Sequence, residues 1–256
     1  MTDFAGPGTP LDDEALQHAC AVTDCPPESL MAVLSVETSG VGYLPDRRPV
    51  ILFERHIFHR LTDGAYDADH PDISAPSPGG SGPGGDYQFQ RLAAAVLLDR
   101  TAALESASWG LGQIMGMNFA SAGFADVSTM VDRFILSERD QLVGMASFLR
   151  SGGMATRLAD DDWAGFARLY NGPNYAANHY DAKLQAAFQR FQNSGLPDLR
   201  IRAAQIYLHY NGYSLAVDGV DGPATRAALA SYQSAHGLPV TGAVDDATLA
   251  SLASPE

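Results

Sequence analysis

The stretch LMAVLSVETSG, Leu30 to Gly40, carries a carboxylate where its pattern calls for an apolar side chain. Leu30, Val33, Leu34 and Glu37 recur at the i, i+3, i+4, i+7 spacing of one helix face, so Glu37 prolongs a stripe aimed at a core. Burial there disfavours the charged form and raises the pKa, which keeps a proton on the acid near neutral pH. General-acid cleavage of a sugar bond requires that state. Spacing alone equally admits a last-turn glutamate rotated into water. Glycoside hydrolysis commonly uses a second carboxylate. Glu54 in ILFERHIFHR is preferred for it over Glu105 in ALESASWG, although either could instead form a plain ion pair with Arg55 or Arg47.

Three further stretches hold side chains that could meet a ligand. SASWGLGQIMG opens on small residues and holds three glycines, which lets backbone approach a sugar closely. Gln113 could then offer donor and acceptor to an acetamido group, though a glycine-rich turn capping a helix has the same look. In YNGP the Tyr170 hydroxyl and the Asn171 amide fall where a helix stops, and such stops line clefts; Tyr170 could equally be a core aromatic. His56 and His59 lie at i, i+3 in ERHIFHR, which raises a zinc-dependent amidase as a rival. No HExxH motif occurs and no third ligand is evident, so neither metal nor cofactor is expected.

The elements that must position these groups are mostly helical. SERDQLVGMASFLR reads as a helix capped by Ser137, with Leu142, Met145, Phe148 and Leu149 on its apolar face. DDWAGFARLYNGP places Trp163, Phe166, Ala167 and Tyr170 at helical spacing, then stops at Gly172 and Pro173. RRPVILFE is a possible short strand. PSPGGSGPGG, Pro76 to Gly85, cannot supply a packed element and is expected to be a mobile loop.

After QNSGLPD, Gln192 to Asp198, the chain changes character and repeats itself: VDGVDGPATRAAL, from Val217, lines up with VTGAVDDATLASL, from Val240. Each copy is a tight turn feeding a helix, with Pro223 suited to a first helical position. LRIRAAQIYLHYNGY before them makes a helix through Ile201, Ala204, Gln205 and Leu208, closed by Asn211 and Gly212. The expected division is 1–193 for a catalytic domain and 199–254 for a small bundle of three helices.

The 256 residues, 46% hydrophobic, suffice for a real core, and the net charge of −14 with no basic patch argues against nucleic acid. The same acidity predicts poor unaided binding to outer-membrane surfaces. The start MTDFAGPGTPLDDEALQ has no export signal, and no apolar run reaches spanning length, so membrane insertion is not expected. Cys20 and Cys25 read as reduced structural thiols.

The tail, through its Val-Asp-Gly, Gly-Pro-x-Thr and Gly-Leu-x-Val-x-Gly elements, resembles the small peptidoglycan-binding domain of many wall hydrolases over roughly Leu199 to Leu252. The region from about Ser29 to Phe191 resembles the N-acetylmuramidase domain of phage endolysins, a relative of the lysozyme fold. VETSGVGYLPDRRPVILFERHIFHR, DRTAALESASWGLGQIMGMNF and DWAGFARLYNGPNYAANHYDAKL carry that likeness. The resemblance implies Glu37 as catalytic acid at a helix end. It puts Ser108, Trp109, Gly110 and Gln113 in a cleft-lining turn, and Tyr170 and Asn171 on the opposite wall. Gly112 departs from the family pattern, in which a large residue precedes the Gln, and Thr38 stands where Ser is frequent. The implied protein is a mostly α, monomeric endolysin, made in the host cytoplasm, that cleaves bacterial peptidoglycan between N-acetylmuramic acid and N-acetylglucosamine after release to the wall. A lytic transglycosylase giving 1,6-anhydro products is the alternative, and a non-catalytic wall-binding protein a further one.

Overall fold

Helix starts in this chain are written into its Asp and Ser residues. The structure, a computed structural model, describes residues 4–254; residues 1–3 of the expected first domain lie outside the described residues. α1 (Asp13–Thr23) begins where Asp12 accepts from the Ala15 amide at 2.7 Å. α2 (Pro27–Thr38) opens on a proline, whose missing N–H costs nothing at a first helical turn. Its outward-turning residues stop there, because Ser39 and Gly40 take the left-handed conformation, at φ 56° and 79°, and both amides return to the Leu34 carbonyl.

A small sheet follows. β1 (Ile51–Phe53) pairs antiparallel with β2 (Ala107–Trp109), which pairs antiparallel with β3 (Ile114–Met115). The expected strand in RRPVILFE is β1, whereas β2 and β3 stand where the sequence suggested only a turn. Between β1 and β2 come α3 (Arg55–Leu61), α4 (Asp86–Leu98) and α5 (Arg100–Glu105). The glycine-proline segment between α3 and α4 forms no helix or strand, as its composition requires, and is tied to the body at two carbonyls. Fully buried Gln88 donates to the Ser81 and Pro83 carbonyls at 2.7 Å each, and its own carbonyl accepts from Phe53 at the end of β1.

Helices then surround the sheet: α6 (Val127–Leu136), α7 (Glu138–Ser151), α8 (Met154–Ala159), α9 (Trp163–Tyr170) and α10 (Tyr180–Ser194). Asp126, Ser137 and Asp162 cap α6, α7 and α9. α7 buries Leu142, Met145 and Leu149 as its spacing requires, with Phe148 half-buried. α10 lies along α2, and Leu184, Ala187, Phe188 and Phe191 join Leu30, Val33 and Leu34 in one large core. Cys20 and Cys25 are free, and Cys25 is buried against the Ala155 carbonyl at 3.3 Å.

α11 (Leu199–Tyr210), α12 (Pro223–Ala235) and α13 (Asp246–Ala253) enclose a second, small core of Ala204, Leu208, Leu229, Tyr232 and Leu252. The repeat has a physical basis in two buried glutamines. Gln205 accepts from the Asp218 and Gly219 amides and donates to the Val220 carbonyl and the Thr225 hydroxyl. Gln233 does the same for the second copy, with the Thr241 and Gly242 amides, the Ala243 carbonyl and the Thr248 hydroxyl. Each turn is thus held from the preceding helix by one fully saturated carboxamide. The face expected for α11 needs a correction: Ile201 is only half-buried, while Arg202 is 3% exposed and points into the larger body. The described residues hold no helix long and apolar enough to cross a membrane.

Candidate active site

Glu37 occupies the last turn of α2, half-buried, one turn beyond the fully buried Val33 and Leu34. Desolvation raises its pKa above the usual carboxylate value. The negative end of the α2 dipole works in the same direction. One contact opposes both: the Tyr180 hydroxyl donates to Glu37 Oε1 and so favours the ionised form. Tyr180 is the first residue of α10, 5% exposed, and its own pKa is pushed far up by burial and the Glu37 charge. It therefore remains a hydroxyl donor at every working pH. The predicted acid is thus a carboxyl held protonatable by its surroundings and oriented by a phenol.

The turn between β2 and β3 is fastened to this helix end from two sides. Thr38 Oγ1 donates to the Leu111 carbonyl at 3.1 Å, and the Tyr170 hydroxyl donates to the Gly112 carbonyl. Tyr170 is half-buried, its ring stacked on Phe166 at 5.0 Å, and Glu37's charge contributes to its raised pKa. Tyr170 is thus packed as an aromatic against Phe166, and its hydroxyl holds the turn. From below, the fully buried Gln141 accepts from the Leu111 amide at 2.7 Å and donates to the Phe134 carbonyl at 2.8 Å.

Gly112 explains itself sterically. A Cβ placed there would lie 2.7 Å from Met145 Sδ and 2.9 Å from its Cγ, so Met145 fills the floor that a larger residue would otherwise occupy.

Ser108 and Gln113 stand together beside the turn. The Ser108 hydroxyl donates to Gln113 Oε1 at 2.8 Å, and Gln113 Nε2 donates to the Val50 and Gly110 carbonyls at 3.2 and 2.9 Å. Both amide hydrogens of Gln113 are thus spent on backbone, and a lone pair on Oε1 is what it has left for a ligand. Trp109 lies under the sheet with no exposed surface, its indole N–H on the Leu104 carbonyl at 3.0 Å, so it belongs to the core rather than to a cleft wall. Asn171 caps α9 with its backbone, while its carboxamide faces solvent without a hydrogen-bond partner among the described residues.

Glu54 follows β1 directly, with 22% of its side chain exposed and Oε2 3.3 Å from His56 Nδ1. Its charge also reaches the buried Arg91 guanidinium, which bonds the Phe53 carbonyl at 2.9 Å. Neither arginine suspected of neutralising it does so: Arg55 contacts the Pro71 carbonyl, and Arg47 the Pro7 and Ala253 carbonyls. Val50, at the turn that Thr38 and Tyr170 grip, and Glu54 are four residues apart along an extended chain, about 13 Å. Glu54 and the turn thus bracket the sheet from opposite ends. Glu105 ends α5, with its pKa raised by desolvation and by Asp99.

The two histidines of the zinc alternative each face one carboxylate, Glu54 for His56 and Asp67 for His59. His59 Nδ1 is paired with Asp67 at 2.7 Å, and the described residues contain no group of three or more His, Cys, Asp or Glu side chains arranged to hold a metal.

Tyr180 and Gln141 escaped the sequence reading, as did the partner of Thr38, which was singled out only for its place beside Glu37. Tyr180 lies within one of the stretches that carry the family likeness, but nothing in its spacing points at Glu37, 143 residues away. Gln141 had a faint signal, a carboxamide at a position that continues the apolar face of α7.

A family model described as N-acetylmuramidase matches residues 26–192, and one for a peptidoglycan binding domain matches residues 198–252. Among solved structures, a Burkholderia AP3 phage endolysin is 39% identical, with a TM-score of 0.66, over 73% of this chain and 72% of that one. No curated protein matches.

Proposed function

This chain belongs to the N-acetylmuramidase family, and from that premise we propose that Glu37 is the general acid of a glycosidase whose second carboxylate is Glu54. The protein is a peptidoglycan hydrolase of the endolysin type, mostly α, with a peptidoglycan-binding domain behind the enzyme. The observation that carries the acid assignment is the desolvated Glu37 carboxyl at the α2 terminus, facing the Tyr180 hydroxyl beside the fastened turn. A glycosidic bond cannot expel a bare alkoxide at useful rates, so a proton held at this position is what the leaving oxygen needs.

Glu54 is partly solvated, as a base that activates water must be. In an inverting enzyme such a base activates a water on the face of the sugar opposite the acid. Ser108, Gln113, Tyr170 and Asn171 then line the cleft, Asn171 with a free carboxamide and the other three mainly by shaping its backbone. Residues 1–193 form the catalytic unit in this reading and 199–254 the wall-binding one. No cofactor enters, and one chain suffices.

The product tests the assignment. Water attack leaves a reducing N-acetylmuramic acid, whereas attack by the sugar's own 6-hydroxyl leaves a 1,6-anhydro end lighter by one water. Mass spectrometry of muropeptides released from purified peptidoglycan should show the reducing end, and Glu37→Gln should lower its release by about a hundredfold or more. A dominant anhydro product would remove the role given to Glu54, and near-normal release by the Gln variant would move the acid elsewhere.

A further inference from the structure

The two cores meet at a seam that is polar where it is tightest. Arg202, on α11 of the small C-terminal bundle, crosses it and forms a two-pronged ion pair with Glu138, at 2.7 Å to Oε2 and 2.8 Å to Oε1. Both side chains are essentially without exposed surface, at 3% and 0%. Glu138 is saturated on its other lone pairs by the Leu11 and Gly42 amides, each at 2.8 Å. The same guanidinium donates through Nε, at 3.1 Å, and through its terminal nitrogen to the Gly40 carbonyl.

Gly40 is the residue whose amide closes the last turn of α2 onto Leu34, and Glu37 sits in that turn. Arg202 therefore holds the end of the acid-bearing helix on one side, while Glu138 holds the following chain at Gly42. Weaker contacts accompany this one. The Tyr210 hydroxyl donates to the Gly8 carbonyl at 2.8 Å, and Arg47 lies over the Tyr210 ring at 4.8 Å and reaches the Ala253 carbonyl at 3.4 Å. Elsewhere the seam is open: a cavity of about 580 Å³ separates Ser35, Ser39 and Arg190 from the turn at Val217 to Val220. Apolar contact crosses the seam at Leu199, the first residue of α11, which joins the large core, and the directed polar contacts at Arg202 add to it.

We propose that Arg202 is a positioning residue of the glycosidase, through which the wall-binding bundle sets the end of the helix that presents Glu37. The bundle then has two separable effects. Anchoring raises the local concentration of enzyme on insoluble wall and does nothing for a soluble glycan. Positioning acts on the bond-breaking step whatever the substrate's state, since displacing an acid by a fraction of an ångström weakens proton transfer. The proposal rests on Glu37 as the acid.

The test uses the full-length chain with Arg202→Lys, which keeps the charge but loses the fork and the Gly40 contact, and with Arg202→Gln combined with Glu138→Gln, which leaves no unpaired buried charge. Rates are measured on peptide-free, solubilised glycan strands and on whole sacculi, at temperatures where circular dichroism shows each variant folded. On soluble strands kcat should fall about ten- to a hundredfold with KM nearly unchanged, Lys being milder than the double variant, and the alkaline limb of the kcat profile should move upward as Glu37 loses its alignment with Tyr180. A loss confined to sacculi, or an unshifted pH profile, would reduce Arg202 to anchoring or plain stability and overturn the proposal. Failure of both variants to fold would do the same. Glu37→Gln is assayed alongside; if it retains activity the acid assignment fails, a result distinguishable from any outcome at Arg202.

Discussion

Replacing Tyr180 by Phe should shift the pH dependence of cleavage upward, and the direction follows from one hydrogen bond. The ring is buried with the main core, and Phe preserves its shape, so the substitution removes little besides the hydroxyl that donates to Glu37 Oε1. That donor stabilises the carboxylate, whereas desolvation destabilises it. Without it only the raising influence remains, and the Glu37 pKa climbs further. A hydrogen bond to a charged group contributes about 1.5–3 kcal/mol, and one pKa unit corresponds to about 1.4 kcal/mol, so the shift should be about one to two units. A general acid is active while protonated; the rate therefore falls as pH rises through its pKa, and that alkaline limb should move up by the same amount. The peak rate should drop by up to about tenfold, because a weaker, less firmly oriented acid gives up its proton less readily. Initial rates on soluble glycan strands across pH, with fold stability followed over the same range, measure both quantities. An alkaline limb that stays in place, or moves down, would refute the claim that Tyr180 tunes the acid.

Two further expectations follow from the same contacts. Since the folded chain holds the Glu37 proton more tightly than the unfolded chain does, stability conferred at low pH is lost as pH rises from the unfolded value toward the raised folded one. Glu37→Gln should therefore melt at a higher temperature than the natural protein at neutral and alkaline pH and at a similar one at pH 4; the reverse pattern in calorimetry would contradict burial of the acid. Ending the chain at Asn193 removes Arg202 from Glu138, and stripping one partner from a buried ion pair costs about 3–5 kcal/mol. Water reaching the uncovered Glu138 reduces that figure, so denaturant titration should show a loss of a few kcal/mol or less, and an unchanged midpoint would mean the seam contributes nothing.

Much of this molecule can be read from local pattern. The apolar spacing of α2, the cap at Ser137, the stop after Tyr170 and the doubled turn of the C-terminal bundle are all properties of neighbouring residues. Helix propensity and capping act over a few positions, so each is visible without the fold. The same holds for Glu37 as a carboxylate on an apolar stripe. The two short strands around the turn at Gly110 to Gln113 were not visible, because a strand of two or three residues has no period to detect and exists only by pairing, β2 with β1 and β3 with β2.

What the fold alone decided is which long-range partner each polar group meets. Gly112 leaves a gap in the cleft floor by sequence, and Met145 fills it; the loop at Pro76 to Gly85 meets the body through Gln88. Gln113, chosen for its donors and acceptors, spends its amide hydrogens on the turn. The largest departure concerns Arg202, which by spacing belongs to the polar side of an isolated amphipathic helix and in the structure is buried against Glu138, 64 residues earlier. By itself the sequence determined the helices, the repeated turn and a poised carboxylate, because those depend on side chains within a few residues of one another. Tertiary structure decided that Tyr180 tunes that carboxylate and that the tail grips its helix, because a buried hydrogen bond or ion pair is specified by the packing of distant surfaces, and no local periodicity records it.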